Sequence, residues 1–160
     1  MKSCLLIISV LLSHPIMALE HHFNTPLGDE KWRVYTSPLA CRMTHAIPGF
    51  GRAVFIQKNG RPSYFLLHSW QGVSKINQAK VYSVPTKWQH DIPIHFLSEV
   101  KMRSGQYPVY LNDHMTREII SQLSAGLKTR FIYQDDLGDT IRVDLSPVKF
   151  QQAFLRYRQC

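Results

Sequence analysis

At 160 residues the chain is long enough for one domain with a real core, and its 44% hydrophobic content is that of an ordinary globular protein. Nineteen basic residues against 11 acidic ones give a formal charge of +8, which admits an anionic partner. The basic residues are scattered from Lys31 to Arg158 rather than gathered in a block, so no nucleic-acid-binding tail is formed and no nucleic acid is expected as a partner.

In chain order, the first segment is an export signal. Lys2 supplies a positive start, Cys4 to Leu12 is an apolar run, Pro15 breaks it, and Ala18 offers a small residue at the cut. The run is shorter than the ~20 residues a spanning helix needs; an uncleaved anchor is the alternative. Residues 1–18 are therefore assigned to the signal and 19–160 to one mature domain, placed in the periplasm.

Leu19 to Gly28 reads as an extended, turn-rich lead-in. Trp32 to Thr36 alternates as a strand. In the next strand Cys41, Met43 and His45 share one face and Arg42 and Thr44 the other. Pro48-Gly49-Phe50-Gly51 marks a turn, Ala53 to Gln57 returns, and Asn59-Gly60 marks a hairpin before Tyr64 to Trp70. Lys80 to Val84 and Tyr107 to Leu111 are strand-like, while the stretch between them carries no clear period. Asn112 or Asp113 caps a helix from His114 to about Ala125, with Gly126 just past its end. Thr129 to Gln134 and Ile141 to Leu145 form a last strand pair around an Asp-rich turn. Ser146 then caps a helix that starts at Pro147 and buries Val148, Ala153, Phe154 and Tyr157. The sum is a mainly β (α+β) domain: an antiparallel β-barrel or sandwich of eight to nine short strands with two helices packed outside.

Once the signal is removed, two cysteines remain, Cys41 and Cys160. In an oxidising compartment two thiols pair, and closing a loop of over a hundred residues contributes roughly 4–5 kcal/mol on the chain-entropy model. Two free thiols, or an intermolecular bridge through Cys160, are the alternatives. Eight histidines invite a metal or catalytic reading, but none has the i, i+4 pairing of a zinc site. His45, on the face of Cys41 and Met43, reads as a structural histidine; a Cys41/His45 nucleophile pair would need a free thiolate. No Gly-x-Ser-x-Gly elbow occurs, and Asp135, Asp136 and Asp139 lack the spacing of a calcium loop. The aromatic residues, including Trp32, Trp70 and Trp88, read as core. No catalytic residue, metal or cofactor is assigned, and the chain is read as a non-enzyme.

Cys41-x-Met43-x-His45-x-Ile47-Pro48-x-Phe50-Gly51-x-Ala53-Val54-Phe55 resembles the N-terminal domain of the flagellar motor protein MotY. Phe23-x-x-Pro26-Leu27, Gly105-x-Tyr107-Pro108, Phe131-x-Tyr133-Gln134-Asp135 and Ile141-x-Val143-x-Leu145-Ser146 follow in the order of that family. The resemblance implies a disulfide between Cys41 and Cys160 and structural roles for His45, Ile47, Pro48, Phe50, Gly51 and Phe55. It implies a periplasmic, non-enzymatic component of the ring at the basal body of a sodium-driven motor. Its partners would be other envelope proteins of the basal body and stator, whose units it helps to place. Members of that family also carry an OmpA-like, peptidoglycan-binding domain; this sequence stops at Cys160 and is expected to lack it. A subunit of another envelope-spanning machine, such as a secretion-system core, or a small binding module for an anionic envelope ligand, is the competing expectation.

Overall fold

A computed structural model describes residues 17–59, 61, 63–75 and 77–160. Residues 1–16, with Cys4 and nearly all of the expected signal, lie outside the described residues, as does Gly60 of the expected hairpin turn.

Among the described residues ten strands form two five-stranded sheets. The first, called here the motif sheet, orders β2 (Trp32–Thr36), β3 (Ala40–Ile47), β4 (Gly51–Lys58), β5 (Tyr64–Ser69) and β8 (Val109–Leu111), all antiparallel. The companion sheet orders β1 (Glu20–Phe23), β10 (Thr140–Leu145), β9 (Lys128–Gln134), β6 (Gln78–Val84) and β7 (His95–Lys101). Its pairs are antiparallel except β1–β10, which is parallel. Each sheet keeps two open edges, so the architecture is a sandwich and the barrel expectation is corrected. Two of the ten, β1 and β7, have no counterpart among the strands expected from the sequence. β1 is four residues of Glu, His, His and Phe, too short and polar to show a period. β7 is an edge strand whose outward positions stay exposed, which blurs its alternation.

Period-two alternation builds the core. Cys41, Met43, His45 and Ile47 of β3 are buried, whereas Arg42 and Ala46 are exposed. Phe131 and Tyr133 of β9 and Val143 and Leu145 of β10 do the same opposite them. The two sheets meet through rings: Phe55 packs edge-on against Phe65 at 5.0 Å, and Phe65 stacks on Phe131 at 5.6 Å. Each such ring, fully buried, contributes roughly 1.5–3 kcal/mol of apolar transfer.

The helices belong to this same core rather than to its outside. α1 (Asp113–Ser124) touches β9 of one sheet and β5 and β8 of the other, burying Ile119 and Leu123. It ends at Gly126 (φ +79°), where Gly126 N–H donates to the Leu123 carbonyl and Leu127 N–H to that of Gln122. These paired bonds satisfy the last helical carbonyls. α2 (Phe150–Arg158) lies on β2 and β3 and buries Phe150, Ala153 and Tyr157. It starts three residues later than the sequence suggests. Ser146 Oγ accepts from Val148 N–H at 3.2 Å, and Phe150 N–H bonds the Pro147 carbonyl at 3.1 Å. Residues 146–149 thus form a turn, Lys149 takes φ +59° before the helix, and Val148 is left exposed.

Candidate interaction scaffold

The densest cluster of chemically distinctive residues surrounds the β3–β4 turn. Ile47-Pro48-Gly49-Phe50 reverses the chain with Phe50 N–H bonded to the Ile47 carbonyl at 3.1 Å. Gly49 has φ +77°, so proline stands second and a positive-φ glycine third, as a type II turn requires. Phe50 then inserts beneath Phe23 of β1, ring centroids 5.5 Å apart, while its carbonyl accepts from Trp70 N–H at 2.9 Å. Gly51 follows where no side chain fits: a Cβ there would lie 2.0 Å from the His68 carbonyl oxygen of the neighbouring strand. Close backbone approach, more than turn geometry, is what this glycine supplies.

His45 is fully buried and stacks on Trp32 at 4.6 Å. Its Nδ1 faces the Lys31 carbonyl at 3.1 Å and its Nε2 the Thr25 hydroxyl at 3.0 Å. Burial pushes its pKa below the ordinary histidine value, only partly offset by the Lys31 carbonyl and the charge of Glu30, so the ring is neutral. It joins the β1–β2 connection to β3 through these two contacts. Cys41, two pleat repeats away on the same face, is bonded to Cys160, with Cα atoms 6.2 Å apart across 119 residues of sequence. Trp32 anchors the same corner, its indole N–H donating to the Ser146 carbonyl at 2.9 Å. Ile47 and Phe55 complete the buried face.

The remaining histidines are dispersed. His21 Nε2 lies 3.3 Å from Asp139, and His22 Nε2 lies 3.1 Å from Asp144. Among the described residues no three His, Cys, Asp or Glu side chains stand together as metal ligands. The Asp-rich turn is occupied with its own backbone. Asp135 accepts from Leu137 and Asp139 N–H, and Asp136 accepts from Ser74 N–H, Ser74 Oγ and Lys75 N–H. These bonds, the Ser74 hydroxyl first, hold the Asp136 carboxyl below its ordinary pKa.

A groove of about 490 Å³ opens between the β1–β2 connection, the loop at Thr86–Trp88 and the turn at Ser146–Val148. Two carboxylates line it, and both are engaged. Glu30 accepts from Gly28 N–H at 2.6 Å. Asp144 is 3% exposed and accepts two bonds from Arg130, at 2.6 and 2.7 Å. Burial raises the Asp144 pKa, but the bonds and charge of Arg130, with His22, more than offset it and hold the carboxyl ionised below its ordinary range. Such a group is a poor proton donor near neutral pH.

The tryptophans divide. Trp32 is core as expected, but Trp70 is 56% and Trp88 is 79% exposed, which corrects their assignment to the interior. The signal was present: Trp70 follows the last strand residue and precedes Gln71-Gly72, and Trp88 stands among Pro85, Thr86 and Lys87 in a stretch without period. Trp70 lies under the Arg52 guanidinium, 5.4 Å from its ring centroid, and edge-on to His68 at 4.8 Å.

The chain is 26% identical over 152 residues to the sodium-type flagellar protein MotY of Vibrio parahaemolyticus serotype O3:K6 (strain RIMD 2210633), a match covering 92% of this chain and 51% of that protein. The chain thus spans about half the length of this curated relative. The family described as the MotY N-terminal domain matches residues 23–160, which takes in Cys41 and Cys160, the His45–Phe55 motif and every strand from β2 onward. The chain belongs to the MotY N-terminal domain family.

Proposed function

We propose that this chain is a non-enzymatic, exported component of a flagellar motor, one that joins the ring around the basal body and helps to place stator units. The carrying observation is the family match across residues 23–160; the relative it resembles is a sodium-type flagellar protein. Residues 1–18 serve as the export signal, and the compartment is the periplasm. A bond between Cys41 and Cys160 suits that compartment, since such staples persist where thiols are not kept reduced. A scaffold that must hold its shape between larger assemblies also suits a stapled sandwich whose buried histidine and carboxylate are neutralised or paired internally.

The test is deletion of the gene followed by swimming assays and electron cryotomography of the motors. Loss of swimming with thinned rings or absent stators is the expected result. Normal swimming with normal rings would overturn the motor reading, and a secretion defect in the same strain would transfer the chain to another envelope machine.

A further inference from the structure

The outer face of the motif sheet has a composition unlike the rest of the chain. No aspartate or glutamate occurs in any of its five strands, whereas Arg33, Arg42 and Arg52 all point outward from it. Among the described residues no carboxylate pairs with any of the three. Between Arg42 and Arg52 lies a shallow groove of about 170 Å³. Its floor is Thr44, Val54, Ile56 and Leu66, and Tyr107 forms a wall with the two arginines. Arg52 is held against Trp70 by the cation–ring contact, and Tyr107 rests on the buried His68 ring at 4.9 Å. Arginine, tyrosine and tryptophan around an apolar floor is the composition of a protein-binding hot spot.

The spacing narrows the occupant. Arg42 pairs with Ile56 and Arg52 with Ala46, so the two arginines stand four residues apart along β3, roughly 13 Å at about 3.3 Å per strand residue. In an extended segment, residues i, i+2 and i+4 share one face. Carboxylates at i and i+4 would meet the two guanidinium groups, and an apolar side chain at i+2 would enter the floor. Guanidinium forks match carboxylates two bonds at a time. An apolar floor between the charges offers nothing to a sugar–phosphate backbone or to a row of lipid headgroups.

We infer that the outer face of the motif sheet is a docking site for an extended acidic protein segment, with Arg42 and Arg52 clamping two carboxylates about an apolar side chain seated on Val54, Ile56 and Leu66. The inference rests on the reading of this chain as an interaction domain and names the chemistry of its partner.

The test uses the purified chain and a labelled, end-capped peptide, Gly-Glu-Ser-Ile-Ser-Glu-Gly, followed by fluorescence anisotropy at low salt. Binding is expected, with affinity falling at least tenfold when both glutamates become glutamine. The same loss is expected with Arg42→Gln/Arg52→Gln, whose melting temperature should stay close to that of the parent. Lys149→Gln/Arg156→Gln removes the same charge from the α2 region and should change affinity less than twofold. No binding of the acidic peptide, or equal losses in the two double variants, would overturn the inference. Tighter binding of phosphatidylglycerol vesicles or a single-stranded oligonucleotide, abolished by Arg42→Gln/Arg52→Gln, would overturn it in favour of those ligands. Peptide binding intact in a protein whose deletion leaves motors normal fails the motor reading alone; thinned rings or absent stators in the deletion strain, with no peptide binding by the purified chain, fail the docking site alone.

Discussion

The two sheets use arginine in opposite ways. In the companion sheet Arg130 is clamped to Asp144, and Arg142 Nη2 lies 2.6 Å from Glu20, so each charge is answered within the fold. In the motif sheet Arg52 lies over the Trp70 ring, Arg33 and Arg42 are exposed, and the strands supply no carboxylate. A charge answered inside the molecule contributes to stability and is spent there; one left unanswered contributes almost nothing to folding and remains for a partner. The net charge of +8 is thus uneven in meaning as well as in position.

The largest expected effect tests what holds the motif sheet in place of ion pairs. Cys41→Ser should lower unfolding free energy by about 2–5 kcal/mol, the usual loss for a native bridge in a small secreted domain, measured by chemical denaturation under non-reducing conditions. Two titratable thiols in the denatured parent chain would contradict the staple. Next comes the companion sheet: Arg130→Met strands a nearly buried carboxylate. Removing one partner of a buried pair costs about 3–5 kcal/mol; His22 remains beside Asp144 and Arg130 is partly exposed, so about 2–3 kcal/mol is expected. Gly51→Ala, which forces a methyl group onto the His68 carbonyl, should cost about 1–3 kcal/mol as an overpacked site, seen as a lowered melting temperature.

Acid should act on the same contrast. The folded-state pKa of His45 lies below its unfolded value, so its share of stability is intact above about pH 6.5 and declines as pH falls. His68 adds to this first phase, its pKa lowered by burial and then by the Arg52 charge. The Asp144 pKa is also depressed, so its share is complete above about pH 4 and declines below. Denaturation midpoints followed from pH 8 to 3 should fall in two phases. Arg130→Met should flatten the lower one; a parallel, merely offset curve would argue that the pair is not what titrates. The smallest effect completes the comparison: Arg42→Gln should change stability by less than about 0.5 kcal/mol, as an exposed and unpaired charge does. A loss comparable to that of Arg130→Met would erase the distinction between the sheets.

Much of the motif sheet is legible in the sequence because its strands alternate strictly and its turns carry their own chemistry. Cys41, Met43, His45 and Ile47 declare a buried face two residues at a time, and Pro48-Gly49 can hardly be other than a turn. The companion sheet hides two members for physical reasons. β1 earns its place by parallel pairing with β10, from Glu20 beside Thr140 to Phe23 beside Val143, a contact 120 residues away that no local pattern reports. β7 pairs on one side only, so Phe96 and His95 stay exposed and the period dissolves. The start of α2 eludes a capping rule because Ser146 caps a turn instead, and Lys149 adopts a conformation that lysine seldom takes. The clamp of Asp144 is equally invisible: Arg130 and His22 come to it from strands on either side.

One glycine reaches further than its own turn. Because successive residues of a strand face opposite ways, sliding β4 by one position against β5 would invert every side chain on it. Phe55 would face solvent and Arg52 the interior. Against the His68 carbonyl only Gly51 fits; either neighbour in that place would drive a Cβ into backbone. A residue without a side chain therefore acts as the register key of the sheet. It decides that the arginines look outward, and with them which surface the molecule has to offer.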